Sequence, residues 1–340
     1  MDKCFSVGIL GCGMISNYHA KAIAEIPGIE LLAAYDKNEK AREDFSKKYN
    51  IKAFESLEKF ISSDDIDIVC ICLPSGFHYS MALECIKNKK HVILEKPMCF
   101  TKKEADEIIK TTEEYGVYLT VISQLRYSDA VSELKNAIED GLFGKITSAD
   151  IYMKYYRTPE YYSTSDWKGT FLMDGGGALM NQGVHGVDLI QYIMGPVVSV
   201  QAISKTLYHD IEAEDTLVAI LEFENGSIGT IEATTSVFPG FGRRLEICGT
   251  EGSAILLEDS IEYCKFKDES RNLECSASLK TTGNRPDGMD HILHKKQISD
   301  FVDAIKNKTE PFINAKEGKK AIEIIEAIYK AARTGEKIYL

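Results

Sequence analysis

Hydrophobic and polar positions follow two alternating periods over the first third of the chain. Short runs rich in branched and aromatic side chains fall at 5–10, 31–35, 68–73, 91–94 and 117–121. Between them lie longer amphipathic stretches at 16–26, 39–49, 79–88 and 102–115. Strands alternating with helices in this way predict parallel strands joined by crossover helices. The run 68–73 is apolar at every position, as a strand covered on both faces would be. Cys70 and Cys72 inside it read as small buried hydrophobes.

Beyond Ser123 the pattern changes. Residues 130–140 read as a helix stopped at Gly141 and Gly144, followed by an aromatic stretch from Tyr152 to Tyr156 and a loop holding Trp167. Gly175, Gly176 and Gly177 open a predicted helix that runs to about Met194 and stops at Gly195-Pro196. Residues 197–266 read as repeated strands, including 217–223, 228–233 and 245–248, with Asn225-Gly226 and Glu251-Gly252 as hairpin turns. Two helices close the chain. Ile298, Phe301, Val302 and Ile305 give the first a single apolar stripe, and the second spans about 315–333. Residues 268–287 form the one polar, loop-like stretch. The expected architecture is α/β, with a doubly wound parallel sheet over 1–123 for dinucleotide binding. An α+β domain over 124–340, with a large, mostly antiparallel open sheet, is expected to serve substrate binding and oligomerisation.

Composition narrows the class. The 340 residues are 44% hydrophobic and 27% charged, enough for two soluble domains. Lys plus Arg number 40 against 52 Asp plus Glu, a net charge of −12, which argues against nucleic acid or an anionic membrane as the main partner. The longest apolar run is six residues, far short of the roughly 18 that cross a bilayer. Met1 to Cys4 lead straight into the first predicted strand without a signal-peptide pattern. Nine cysteines, an odd count with no C-x-x-C pair, fit reduced thiols in a cytoplasmic enzyme and offer no metal site.

Candidate chemistry begins at Gly11-Cys12-Gly13-Met14-Ile15-Ser16, between a predicted strand and a predicted helix. Gly11 allows the sharp turn, Gly13 lets the backbone approach a pyrophosphate, and the helix N-terminus behind Met14 and Ile15 favours negative charge. Asp36, 23 residues after Gly13, ends the second strand where an acid accepts ribose hydroxyls. It favours NAD, and Lys37 beside it leaves NADP open. Cys12 inside the loop is expected to make it sensitive to thiol reagents. Leu73, Pro74 and His78 follow the strand across the topological switch, so His78 reads either as a cofactor contact or as a helix-start histidine. Glu95-Lys96-Pro97 ends the next strand. Proline bars the helical region to Lys96, and a pinned ammonium there can orient a substrate hydroxyl and favour its deprotonation. A surface Glu–Lys pair is the plain alternative. On the glycine-led helix, Asn181 and His185 are four apart and share one face, with Asp188 nearby; His185 is an acid/base candidate. The glycine run would let a bulky ligand approach closely.

G-x-G-x-x-S after the first strand, the acid after the second and Glu95-Lys96-Pro97 together resemble the Gfo/Idh/MocA family of NAD(P)-dependent sugar and inositol oxidoreductases. The resemblance implies an N-terminal Rossmann domain, contact of Glu95 and Lys96 with the cofactor, and contact of Lys96 with substrate as well. It also implies His185 as acid/base and a homodimer or homotetramer. Family members commonly carry aspartate where this chain has Asn181, although some sugar-nucleotide 3-dehydrogenases resemble it in having asparagine. Asn181 then orients a substrate hydroxyl. Arg126, Tyr156 and Trp167 are further substrate candidates, set against a structural role, and Arg243 is a candidate for an acidic substrate group. The expected activity is oxidation of a secondary hydroxyl of a sugar, sugar derivative or cyclitol with NAD, without metal. A glycosidase or lyase that retains NAD and oxidises C3 transiently is the alternative, and a non-catalytic sugar sensor a third.

Overall fold

The computed structural model describes residues 4–276 and 290–340. In chain order the elements are β1 (Phe5–Leu10), α1 (Ser16–Ala24), β2 (Ile29–Tyr35), α2 (Glu39–Tyr49), β3 (Lys52–Ala53), α3 (Leu57–Ile61), β4 (Ile68–Ile71), α4 (His78–Lys87), β5 (His91–Leu94), α5 (Lys102–Tyr115) and β6 (Leu119–Val121). There follow α6 (Asp129–Glu139), β7 (Ile146–Lys154), α7 (Pro159–Ser163), a π-helical segment (Ala178–Gly183) and α8 (Val184–Met194). The strands β8 (Val197–Lys205), β9 (Thr216–Phe223), β10 (Ile228–Thr234), β11 (Arg244–Gly249), β12 (Gly252–Leu257) and β13 (Ser260–Phe266) come next. Helices α9 (Ile292–Asn307) and α10 (Ala315–Thr334) and strand β14 (Ile338–Tyr339) complete the chain. Of the polar stretch at 268–287, residues 268–276 hold a 3-10 turn at Glu269–Arg271, and the remainder lies outside the described residues.

Two compact units emerge. The first is Met1–Gln124 with Asp290–Ile322; the second is Leu125–Met289 with Glu323–Leu340. The sheet of the first unit has six parallel strands in the order β3-β2-β1-β4-β5-β6, so the direction of winding reverses between β1 and β4. Alternation along the strands feeds two cores. Val69, Ile71, Val92 and Leu94 join one, whereas Ile68, Cys70, Ile93, Val7 and Ile9 join the other. The segment 290–322 counts with this unit because the predicted stripe of α9 buries all four of its members, Ile298, Phe301, Val302 and Ile305, against Ala20, Ile23 and Ile26. Gln297 secures the same helix. Its Nε2 donates to Thr120 Oγ1 at 2.9 Å and to the Val121 carbonyl at 2.8 Å, and its Oε1 accepts from Ser123 N–H at 3.0 Å. Local signals set the helix ends: Asn38 caps α2, and a Thr101/Glu104 capping box opens α5, which Gly116 ends at φ +64°.

The second unit is built on eight strands in the order β13-β12-β11-β7-β10-β9-β8-β14, antiparallel except for the β7–β10 pair. Gly226 turns the β9–β10 hairpin at φ +83°. One face is core: Leu217, Ala219, Leu221 and Phe223 of β9 are buried, while Val218 and Ile220 between them are exposed. The single helix expected from Gly175-Gly176-Gly177 to about Met194 is instead a π-helical segment, Ala178–Gly183, that passes into α8 at Val184.

Candidate active site

The turn after β1 is formed as its residues dictate. Gly11 has φ +99°, and a Cβ there would lie 2.6 Å from the Cys72 carbonyl oxygen, so only glycine fits. A Cβ on Gly13 would meet no protein atom within 4 Å. No packing in the described residues requires glycine at 13; the open space it leaves fits a ligand that approaches the backbone. Behind it α1 begins after Ile15 with no side-chain cap and no acid in its first turn, and Met14 is exposed. That terminus therefore presents its dipole to an anion. Asp36 is tied into the loop: Oδ2 accepts from Cys12 N–H at 2.8 Å and Oδ1 from Asn38 N–H at 2.8 Å. Each oxygen retains a further lone pair for a ribose hydroxyl. Lys37 is exposed beside it. These features fit a dinucleotide. Cys12 differs from the expectation of thiol reactivity, because burial first, and then the Asp36 charge, push its thiol up to about 12 and keep it protonated.

At the ends of β4 and β5 the chain is held by buried polar bonds. Leu73 and Pro74 are half-buried. His78 is 1% exposed, with Nδ1 2.6 Å from the Pro97 carbonyl and Nε2 2.9 Å from the Leu73 carbonyl. The ring clasps the two strand-end loops together, and both its nitrogens are engaged by backbone. Of the two readings open in the sequence, this geometry favours the helix-start histidine. Lys96 is half-buried, precedes Pro97 through a cis bond, and donates its N–H to Glu95 Oε2 at 3.2 Å. The other oxygen of Glu95 lies 2.8 Å from His19 Nε2 on α1 and 3.9 Å from His294 Nε2 on α9. Burial alone would raise the Glu95 carboxyl, yet the His19 hydrogen bond and the charges of His19, His294 and Lys96 hold it well below the usual range. His19, Glu95 and His294 are the one group among the described residues whose ligand atoms gather as a metal would need, within 4.8 Å. Nδ1 of both histidines lacks the hydrogen-bond partner that normally orients a metal-bound imidazole. The trio thus reads as a buried polar anchor for the strand end that carries Lys96. Periodicity could not have found it, because His19 and Glu95 are 76 residues apart.

In the second unit the glycine run serves the protein rather than a ligand. A Cβ on Gly176 would lie 2.1 Å from Tyr329 Oη, and one on Gly177 would lie 1.8 Å from the Glu214 carbonyl oxygen. Glu214 is buried and caps the π-helical segment: its carboxylate accepts from Gly177 N–H at 3.1 Å, Leu179 N–H at 2.9 Å and Tyr329 Oη at 2.9 Å. Burial pushes its carboxyl up. Asn181 lies on the π-helical segment and His185 at the second position of α8, both half-buried. Asn181 Nδ2 donates to Asp174 Oδ1 at 2.7 Å, while Asp174 Oδ2 accepts from Gly169 N–H at 2.9 Å.

The remaining candidates separate into two groups. Arg126 is 3% exposed and bidentate to Asp188, at 2.9 and 2.6 Å, with its guanidinium 4.8 Å from the Tyr192 ring centre. Asp188 is therefore engaged by Arg126. Arg243 is likewise internal, bonded to the Glu258 carbonyl at 2.6 Å and to Asp259 at 3.0 Å. By contrast, two cations gather at Tyr161. The Lys168 ammonium lies 3.9 Å from its ring centre and the Arg157 guanidinium 5.5 Å away. Lys168 also lies 5.9 Å from the half-buried Trp167 ring, and its pKa is lowered by burial. Tyr156, half-buried, lies 3.4 Å from Tyr208 through the hydroxyls and packs edge-on against Phe238.

Comparison with known proteins shows the family. A model of an oxidoreductase family with an NAD-binding Rossmann fold matches residues 5–123, and one of the GFO/IDH/MocA C-terminal domain matches residues 131–255. The chain is 31% identical to the uncharacterized oxidoreductase YrbE of Bacillus subtilis over 265 residues, 75% of this chain and 74% of that one. It is 24% identical to myo-inositol 2-dehydrogenase of Thermotoga maritima over 340 residues, 98% of each. Among solved structures it is similar to the WlbA dehydrogenase from Bordetella pertussis, in complex with NADH and UDP-GlcNAcA. The TM-score is 0.90 and the identity 30%, covering 100% of this chain and 99% of that chain. The chain belongs to the Gfo/Idh/MocA family of oxidoreductases, with an NAD-binding Rossmann domain followed by the family's C-terminal domain.

Proposed function

We propose that this enzyme oxidises a secondary hydroxyl of a sugar, sugar derivative or cyclitol, with NAD as the coenzyme and NADP as a weaker substitute. The observation that carries this reading is the open cradle over Gly13 with Asp36 in register behind it. Likeness along the whole chain to a dehydrogenase in complex with NADH and a sugar nucleotide supports it. Gly11, Gly13, Met14, Ile15 and Asp36 hold the dinucleotide, with Lys37, Leu73, Pro74 and the Glu95–Lys96 backbone lining its path. When bound, the nicotinamide supplies the acceptor for the hydride that leaves carbon. Lys96 donates a hydrogen bond from Nζ to the substrate oxygen and stabilises its growing negative charge. His185 takes the hydroxyl proton on a ring nitrogen, and Asn181 orients a neighbouring substrate group.

Arg157 and Lys168 beside Tyr161 and Trp167 favour a substrate that carries an acidic group, since positive charge there attracts an anion and the rings offer stacking faces. Nine free thiols fit a reducing, cytoplasmic setting. No helix among the described residues is long and apolar enough to cross a membrane. Homo-oligomerisation is favoured by the exposed stripe of Ile203, Val218, Ile220 and Ile228 on one sheet face.

The test is a screen of sugars, uronic acids, inositols and sugar nucleotides followed by nicotinamide absorbance, with NAD and NADP compared. Net NADH formed in proportion to substrate consumed is the expected result. Release of an aglycone without net NADH would replace oxidation by bond cleavage through a transient ketone. Binding of sugar with neither outcome would make the protein a sensor.

A further inference from the structure

We propose that Asp174 is a positioning residue for the substrate side of the site: it holds the Asn181 carboxamide so that the amide presents its carbonyl oxygen, an acceptor, to a hydroxyl or N–H of the substrate. This rests on the reading of the enzyme as a sugar dehydrogenase.

The geometry begins with the loop. Asp174 is 1% exposed, and its own N–H donates to the Thr170 carbonyl at 3.0 Å. Oδ2 accepts from Gly169 N–H at 2.9 Å, which leaves Oδ1 facing Asn181 Nδ2 at 2.7 Å. A carboxylate only accepts, so the amide atom turned to it must be the NH2 group. The Oδ1 end of Asn181 therefore points away from Asp174. Among the groups that feel the Asp174 charge are Lys168 in the same loop and Tyr161 and Tyr162 of α7. His185 lies one turn beyond Asn181 on α8.

Asparagine at 181 follows from this arrangement. An aspartate there would set two carboxylates 2.7 Å apart, and one would have to keep a proton. This chain carries the negative charge in the loop, at 174, and leaves a neutral amide on the helix. The substrate group read by Asn181 is consequently a hydrogen-bond donor, a hydroxyl or an amide N–H. Such a site rejects an analogue in which that donor is replaced by hydrogen or methoxy.

Three variants test the pair: Asn181→Asp, Asp174→Asn and the double exchange D174N/N181D. In the exchange, the amide moved to position 174 can accept from Gly169 N–H through its oxygen and donate through its nitrogen to the carboxylate moved to position 181. Thermal midpoints are measured between about pH 5 and pH 8, the span over which a shared carboxyl proton is lost. The raised carboxyl of Asn181→Asp is comfortable while protonated and loses its contribution as pH rises. Its midpoint should therefore fall progressively below wild type, and the exchange should remove that pH dependence. With the substrate found by the screen, Asp174→Asn frees the Asn181 amide to turn, and KM for the sugar should rise roughly tenfold or more. The NAD dissociation constant should stay within about twofold, because no dinucleotide contact is altered. A pH-independent midpoint difference for Asn181→Asp, an exchange no better than that single variant, or an unchanged sugar KM in Asp174→Asn overturns the proposal. If the wild type oxidises no sugar, the dehydrogenase reading fails by itself, and the thermal series still decides whether Asp174 holds Asn181.

Discussion

His294 is a neutral imidazole at physiological pH because burial, and then the neighbouring His19 charge, push it from 6.5 down to about 4, against the pull of Glu95. In the unfolded chain the same group takes up a proton near pH 6.5, so the unfolded state gains protons first as pH falls. Stability should drop between about pH 6.5 and pH 4, by up to about 3 kcal/mol from this group. The depressed carboxyl of Glu95 acts in the same direction, contributing above the unfolded carboxylate range and losing that contribution in acid. Replacing His294→Phe should flatten the thermal midpoint across that window, and an equally steep acid loss would assign it elsewhere. For the proposed chemistry, Lys96→Ala and His185→Ala should each lower kcat by roughly a hundredfold or more. NAD binding, followed by fluorescence titration, should be nearly unchanged in His185→Ala. Asp36→Ala should weaken NAD by roughly tenfold while NADP weakens less; an unchanged ratio of the two dissociation constants would remove Asp36 as the discriminating residue.

Elements differ in how much of them was legible. The stripe of α9 follows directly from i, i+3, i+4, i+7 spacing, and all four of its side chains are buried. The parallel strands and the loop after β1 were equally readable, because each is specified by neighbours within a few residues. The π-helical segment was not. Its start is set by Glu214 and Tyr329, which lie 35 and 149 residues away from the backbone groups they meet at Leu179 and Met180. Gly177→Ala should therefore act through packing: its Cβ would press on the Glu214 carbonyl, and an overpacked contact of that kind costs about 1–3 kcal/mol. Thermal melts of Gly177→Ala beside Gly13→Ala check this, since Gly13 has open space and should leave stability almost unchanged while weakening NAD. Equal destabilisation by both would contradict it.

On the scale of the whole molecule, the net charge of −12 proved a poor guide to the local field around substrate candidates. Arg126 and Arg243, the arginines the sequence offered for an acidic substrate, are neutralised inside the second unit by Asp188, and by Glu258 and Asp259. Arg157 and Lys168 gather instead around one aromatic ring. The exposed sheet face also belongs to this scale. Ile203 and Val218 face each other across β8 and β9, beside Ile220, and are 69%, 44% and 51% exposed. If this face joins copies of the chain, Ile220→Lys should shift the mass measured by light scattering toward the monomer. A variant with wild-type mass would place any assembly elsewhere.

Sequence alone determined the two-part architecture, the glycine turn after β1 with Asp36 in register, and the choice of Lys96 and His185 as the residues to test. Those features depend on period, turn chemistry and short spacing, which a linear string carries in full. Tertiary structure decided which polar groups are already spoken for. It gave Arg126 to Asp188, set His78 between two carbonyls, seated Glu95 on His19, filled the space beside Gly176 and Gly177, and turned Asn181 toward Asp174. Most of these pairings join residues far apart in the chain. Burial makes each a choice of partner rather than of position, because a buried polar group must be satisfied by whatever the fold brings within about 3 Å.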